Sequence, residues 1–574
     1  MKPYCILLLF FLLNFYKASA QQITKPDGKK LSAIAIDKVV KKLMDTGEVT
    51  GLCLGIINNG KPVYIESFGY RNKPSGKLND TSTCFYAASL SKPLFAYIVM
   101  QLVDEGVIDL DKPLYTYLPK PLPEYEDYKD LGGDERWKLI TARECLNHTT
   151  GFPNWRQLNP NDNQKLEIFF NPGERFAYSG EGIYLLQKVV ETITRRSLED
   201  IAKEKIFKPF EMTRTSFVWQ PSFENNYAVG HNMNEDTLAK NKRTSANAAG
   251  SMETTIADYT RFVAAVLNSK RLSPKLKEKM LSPQIGIYTK HEFPSLNNDT
   301  TSMYKNIKLS YGLGWGLFMS NYGQAFFKEG HGDGWEHYMI GLPAKKFAII
   351  IMTNSSNGES IFKELVERIT NITIPWEWEG YTPYRPTVKL PEKVLQQFTG
   401  EYNGKLKATI TLVNGRLKVK SESTGLPETN LYPENDHHFF LKVMDTDLDF
   451  VKDANGKVVK VILDDEGEHY ELEKSNDGKS IQTAIQLSKN ILLTYVGTYS
   501  LSTDPARTIQ IELEDDHLTG KFSKQQPEEL EFQTNTKFTF KNVTNAVAEF
   551  ITVNGKVTKF IVSQNGLFEW KKIK

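Results

Sequence analysis

Ala88-Ser89-Leu90-Ser91-Lys92 opens an apolar-periodic run that continues to about Glu105 and stops at Gly106. Leu94, Ile98 and Leu102 recur every fourth residue, the spacing of one buried helix face. Pro93 falls near the start, where a missing N–H costs little. Ser89 and Lys92 are three apart, so both reach one face of the first turn. That turn carries unpaired backbone N–H groups and the positive end of the helix dipole. A hydroxyl there can attack a carbonyl with an amine beside it to take the proton. Spacing alone does not single the pair out. Ser302-Met303-Tyr304-Lys305 matches it too, but lies in a polar stretch with no helix to open.

Working outward, residues 32–47 carry Ile36, Val39, Val40, Leu43 and Met44 at helical spacing. Leu52–Ile57 and Pro62–Tyr70 flank Asn58-Asn59-Gly60, a hairpin signal. Thr141 and Glu144 form a capping box that starts a short helix, and Gly151 and Pro153 end it. Further helices are expected from about Ile183 to Thr194, with Phe262, Ala265 and Val266 on a buried face, and near Ile361–Ile369. Ser310–Phe318, Ala325–Lys328, Tyr338–Leu342 and Ala348–Thr353 read as strands. Strands at both ends with helices between them predict an α+β domain: an antiparallel sheet flanked by helices, with an inserted helical lobe.

The chain has 574 residues, enough for two to four domains. Residues 1–20 read as a signal peptide: Lys2, then an apolar run from Ile6 to Leu13, then Ala18-Ser19-Ala20 as the cleavage site. The run is too short to span a bilayer. Removing Lys2 and Lys17 from 71 basic residues leaves 69 against 69 acidic ones, a net charge of 0. That balance argues against a nucleic-acid partner or an anionic membrane surface. No later segment is apolar for long enough to cross a membrane, so no integral membrane segment is expected after cleavage. Cys5 lies ahead of the apolar run, where it cannot take a lipid. Cys53, Cys84 and Cys145 match no metal spacing and read as buried hydrophobes, with a Cys53–Cys84 bridge left open.

Two further stretches carry chemistry. Tyr178-Ser179-Gly180 sits between a short strand and a helix, so its phenol can point into a cleft. A lysine nearby favours the phenolate, which would let Tyr178 act as base and then as acid. Gly330-His331-Gly332-Asp333-Gly334-Trp335 is glycine-rich at a strand edge, where a substrate can approach the backbone. A backbone N–H there and that of Ser89 could form an oxyanion hole, with His331 as a polar or cationic side chain facing the substrate. His331 and His337 lack the carboxylate or cysteine spacing of a metal site, so neither a metal nor a cofactor is expected.

Taken in order, these residues resemble the serine-hydrolase family of class C β-lactamases, penicillin-recognising DD-peptidases and related esterases. Ser89-Leu-Ser-Lys92 is similar to its nucleophile motif. Tyr178-Ser-Gly180 resembles its Tyr-x-Asn motif and His331-Gly-Asp333 its Lys/His-x-Gly motif, each departing at the last position. Ile140–Pro153 resembles its "LLxHTSGLP" stretch and Tyr311–Gly316 its "YGLGW". The resemblance spans about residues 30–375. It implies catalysis by Ser89, Lys92 and Tyr178 through an acyl-enzyme, with His331, Gly332, Asp333, Gly334 and Gly180 at the substrate. Gly180 lacks the amide that would touch a substrate, and Asp333 adds a carboxylate. Both favour an ester or a D-amino-acid peptide over a β-lactam.

The domains expected are the hydrolase at 28–374, a proline-rich linker at 375–391, and two β domains at 392–484 and 488–574. The last two repeat. Phe398-Thr399-Gly400-Glu401-Tyr402 recurs as Tyr495-Val496-Gly497-Thr498-Tyr499, and Asn455-Gly456-Lys457 as Asn554-Gly555-Lys556. They resemble lipocalin-like domains, and closed small barrels would hide their edges. Tyr402, Tyr432, Tyr499 and Trp570 suit either a carbohydrate surface or a core. The functional expectation is an exported serine hydrolase, periplasmic or secreted, acting on a small-molecule or peptide substrate, cell-wall fragments included. The rival is an inactive peptide- or glycan-binding protein that keeps the fold.

Overall fold

The structure is a computed structural model that describes residues 22–465, 467–475, 487–522, 527–532, 534–541, 547–553, 555–563 and 567–574. The expected signal peptide, Cys5 and Asn554 lie outside the described residues. The chain divides between Tyr384 and Arg385 into two units.

In the first unit, helix α1 (Ala33–Gly47) starts at Ser32, whose hydroxyl accepts from the Ala35 N–H. Strands β1 (Gly51–Asn58) and β2 (Lys61–Asn72) form the expected hairpin. Asn59 and Gly60 between them both have positive φ, 50° and 73°. β3 (Lys77–Leu78) follows, and then a long, mostly helical insertion. It holds α2 (Ser91–Asp104), α3 (Gly180–Thr194) and α4 (Ile256–Leu267). The chain returns to the sheet through β4 (Ile285–Gly286), β5 (Ser310–Tyr311), β6 (Gly316–Ser320), β7 (Gly323–Gly332), β8 (Trp335–Leu342) and β9 (Phe347–Thr353). Helix α5 (Phe362–Thr370) comes next. The sheet order is β3-β2-β1-β9-β8-β7-β6-β5-β4, antiparallel throughout, with the helical lobe inserted.

Both faces of the sheet are buried, and the alternation along its strands shows why. Cys53, Ile57, Ile350 and Met352 belong to one core with α2 and α4; Leu52, Leu54, Ile349 and Ile351 belong to the other, with α1 and α5. Helix α2 departs from the expected single stripe. Every residue from Ser91 to Leu102 is buried, so it runs through the middle of the unit and not over its surface.

The span 375–391 does not behave throughout as a linker. Trp376–Glu379 forms a helical turn, and Trp378 is fully buried against Phe176 and Phe327. The proline signal was real, but an indole of this size finds its place in a core.

The second unit holds two β modules. The second closes as a barrel, Gly497–Leu501 through Leu567–Lys572. The first, Gly400–Gly404 through Glu468–Lys474, is a nine-stranded antiparallel sheet. Its two edges, Leu426–Asn430 and Tyr432–Pro433, are joined through Leu431 alone, so the sheet curls until it nearly closes. The repeat extends to side chains: Tyr402 donates to Phe398 O at 2.7 Å, and Tyr499 to Tyr495 O at 2.8 Å. Tyr402, Tyr432, Tyr499 and Trp570 are all buried, which makes them core residues and not a carbohydrate surface.

Candidate active site

Ser89 lies in a 3₁₀ turn, Ala88–Leu90, that leads into α2. Ala88 just before it has φ of 46°, a left-handed conformation that costs a non-glycine residue about 1 kcal/mol or more. The turn is tied down from several sides. Ser91 donates to Ala88 O at 2.7 Å, Tyr259 to Leu90 O at 3.2 Å, and the Ala87 N–H to Met252 O at 2.8 Å. Strand β7 runs close against it. β6 pairs with β7 only as far as Phe327, which leaves the next stretch of β7 facing Ala87–Leu90. Gly330 makes that approach feasible, since a Cβ there would sit 3.0 Å from Ala87 O.

Lys92 is 1% exposed, and its Nζ donates to Ser89 Oγ at 2.8 Å and to Ala249 O at 2.7 Å. Burial first, and then the Lys328 ammonium, hold its pKa well below the usual lysine range. Tyr178 joins the pair from the loop before α3. Its ring centre lies 4.8 Å from Lys92 Nζ and 4.6 Å from Lys328 Nζ. The phenol behaves opposite to expectation. Burial, and after it the Glu329 carboxylate, push its pKa well above 10, and the flanking lysines do not overcome them. Its hydroxyl makes no hydrogen bond of regular geometry, although Ser89 is near enough to favour the phenolate slightly. His148, fully buried, stacks 4.3 Å from Tyr178, and its Nδ1 accepts from the Ser179 N–H at 3.1 Å.

The structure thus brings Ser89, Lys92 and Tyr178 together, on the wall of a cavity of about 760 Å³. The glycine-rich stretch divides. His331 lines the cavity, and its Nδ1 lies 2.7 Å from Glu336 Oε1 across the β7–β8 ladder. The Glu336 carboxylate raises the His331 pKa to about 9, while burial raises that of Glu336 to about 7. Gly332 ends β7; Asp333 is exposed in the turn and is not on the cavity wall; the Gly334 N–H donates to Ser356 Oγ at 3.0 Å. Gly180 opens α3, and its N–H is taken by the Asn154 carbonyl and side-chain oxygens, both at 3.0 Å.

Several cavity residues had no signal in the sequence. Trp155 and Asn154 follow the Thr150–Pro153 break, Glu292 sits in a long loop, Glu329 precedes the glycines, and Glu379 comes from the segment read as linker. Glu359 approaches His331 and Glu336, so that one atom from each lies within 4.8 Å of the others. One histidine and two carboxylates can hold a cation, and the spacing of His331 and His337 did not suggest this set. His337 is committed elsewhere, with its Nε2 2.7 Å from Tyr86 O. Cys53, Cys84 and Cys145 are buried free thiols, so Cys53 and Cys84 are not bridged.

A family model described as Beta-lactamase matches residues 36–372, more than half of the chain. The chain belongs to the β-lactamase family. That family is one of serine hydrolases, and the α+β architecture of the first unit is its fold. Penicillin-binding protein 4* of Bacillus subtilis is 24% identical over 450 residues, covering 71% of this chain and 92% of that protein. Protein flp of Staphylococcus aureus is 23% identical over 350 residues, covering 58% of this chain and 65% of its own length. The octameric penicillin-binding protein homologue from Pyrococcus abyssi has the same fold, with a TM-score of 0.50 at 18% identity over 86% of this chain and 99% of that one. A model described as a domain of unknown function, DUF3471, matches residues 481–572, over the second β module of this β-lactamase-family chain. Among the described residues no helix is long and apolar enough to cross a membrane.

Proposed function

We propose that this chain is an exported serine hydrolase that cleaves an ester or amide through an acyl-serine intermediate. The observation that carries the reading is the buried Lys92 amine 2.8 Å from Ser89 Oγ, in surroundings that disfavour its ammonium form. A neutral amine there accepts the Ser89 proton as the Oγ–carbonyl carbon bond forms. Tyr178, held as the neutral phenol, gives its proton to the leaving oxygen or nitrogen as that bond breaks, and regains one from Lys92. Water then attacks the acyl carbon and gives a proton to Lys92, and the Ser89 ester bond breaks, with Oγ taking that proton back as the acid is released. The N–H of Ser89 and one from the Gly330–Gly332 edge would receive the oxyanion.

The substrates to try first are cell-wall peptides, because one relative is named a penicillin-binding protein. The test is intact mass after incubation with a fluorophosphonate and, separately, with a penicillin, beside a Ser89→Ala control. Labelling by either reagent that disappears in the control supports the reading. Labelling by the fluorophosphonate alone narrows it to an esterase or peptidase. Folded protein that neither reagent labels overturns it in favour of a binding protein.

A further inference from the structure

Five glutamates, Glu292, Glu329, Glu336, Glu359 and Glu379, line the cavity that holds Ser89. Two are neutralised: Glu329 pairs with Lys328 and Glu336 with His331. Among the described residues, Glu292, Glu359 and Glu379 form no ion pair. Glu292 is 3% exposed, and its Oε1 accepts no hydrogen bond; Glu379 is faced by the Tyr338 hydroxyl, which makes no bond of regular geometry to either of its oxygens. A buried carboxylate without a donor is unfavourable, and protein interiors rarely leave one so. Burial, and after it a neighbouring carboxylate, push Glu292 and Glu359 up, and burial does the same to Glu379.

Lys328 and His331 favour these carboxylates but are already paired with Glu329 and Glu336. Lys92 is engaged by Ser89 and Ala249. Arg243, on the cavity wall, stacks 3.8 Å from the Tyr86 ring. Phe293, next to Glu292, also lines the cavity; it is 44% exposed, with its ring centre 5.5 Å from that of Tyr178. Free carboxylate oxygens beside an aromatic face are the surroundings that an organic ammonium group prefers.

Resting on the hydrolase reading above, we propose that the cavity takes a substrate with a positively charged amine close to the carbonyl that Ser89 attacks. Glu292 and Glu379 receive the ammonium, and Phe293 lies against it. The amine supplies the donor that Glu292 Oε1 lacks and a second one to Glu379 beside the Tyr338 hydroxyl.

The test uses the full chain and the rate at which a fluorophosphonate labels Ser89, with two competitors of one shape: 3-aminopropanamide, which is cationic, and butanamide, which is neutral. The expected result is protection by the cationic amide at roughly tenfold lower concentration, the scale of a charge-assisted hydrogen bond at a desolvated site. That ratio should fall toward one in Glu292→Gln. Glu379→Gln gives the same reading if the first variant does not fold. Equal protection by the two amides overturns the proposal, as does a ratio unchanged in both variants. A stoichiometric metal in the purified chain, whose removal by a chelator abolishes the ratio, also overturns it by assigning the carboxylates to that metal. Absence of any labelling of folded wild-type chain is a different failure, that of the hydrolase reading itself.

Discussion

The indole of Trp155 fills the space that a side chain at Gly180 would need: a Cβ there would lie 2.6 Å from Trp155 Cη2 and 2.8 Å from Cζ2. The departure from the family's Tyr-x-Asn motif is therefore compensated in packing. Asn154, beside it, binds the Gly180 N–H and brings an amide to the cavity wall.

Gly180→Asn should therefore destabilise the fold and not restore a family contact. Overpacking of this kind costs about 1–3 kcal/mol. Thermal unfolding should show the loss, and Trp155→Ala in the same chain should recover part of it. An unshifted midpoint for Gly180→Asn alone would contradict the packing described.

Ser89→Ala should lower turnover by about 10³-fold or more, as removal of other serine nucleophiles does. Lys92→Arg should be nearly as severe, because a guanidinium stays charged and accepts no proton. Tyr178→Phe should lower kcat and leave the fluorophosphonate adduct measurable, since that reagent's leaving group needs little help. Steady-state kinetics on one ester settle all three, and a near-normal rate in Ser89→Ala would remove the nucleophile assignment.

The His331–Glu336 pair sets a pH window. The Glu336 carboxylate raises His331, so the imidazolium is lost as pH rises through about 9, and the raising itself is lost where Glu336 takes up a proton. Glu336 is raised by burial, so it is protonated below about 7. Both charges coexist between about 7 and 9. Substrate affinity that depends on His331 should fall on both sides of that window. His331→Ala should flatten the profile of kcat/KM while lowering kcat less than any change at Ser89, Lys92 or Tyr178. An unaltered profile in that variant would separate the pair from catalysis.

Trp378→Ala should cost about 3–5 kcal/mol, the usual result of deleting a buried large aromatic side chain. Denaturant unfolding of the full chain measures it. A chain cut at Pro375 should lose both stability and labelling, because Trp378, Glu379 and Tyr381 leave with the cut segment. A chain cut after Tyr384 should keep both. Retained labelling in the shorter form would return residues 375–384 to the status of a linker.

Much of this protein was legible without coordinates because its signals are local. A capping box at Thr141 and Glu144, an Asn-Gly turn at 59–60 and a period of two or of 3.6 depend on neighbours in the chain, and each appears in the fold. The nucleophile pair is equally local, since three residues of helix place Ser89 beside Lys92. What tertiary structure alone decided is how burial acts on those groups. The sequence places a lysine near Tyr178 but not the shell that keeps the phenol protonated, because Glu329 arrives on a strand some 150 residues later. Glu292, Glu359 and Glu379 meet only when a loop, a turn and a supposed linker converge on one cavity. Convergence of distant segments leaves no period or spacing to read, and desolvation is a property of the packed surroundings and not of any residue in them.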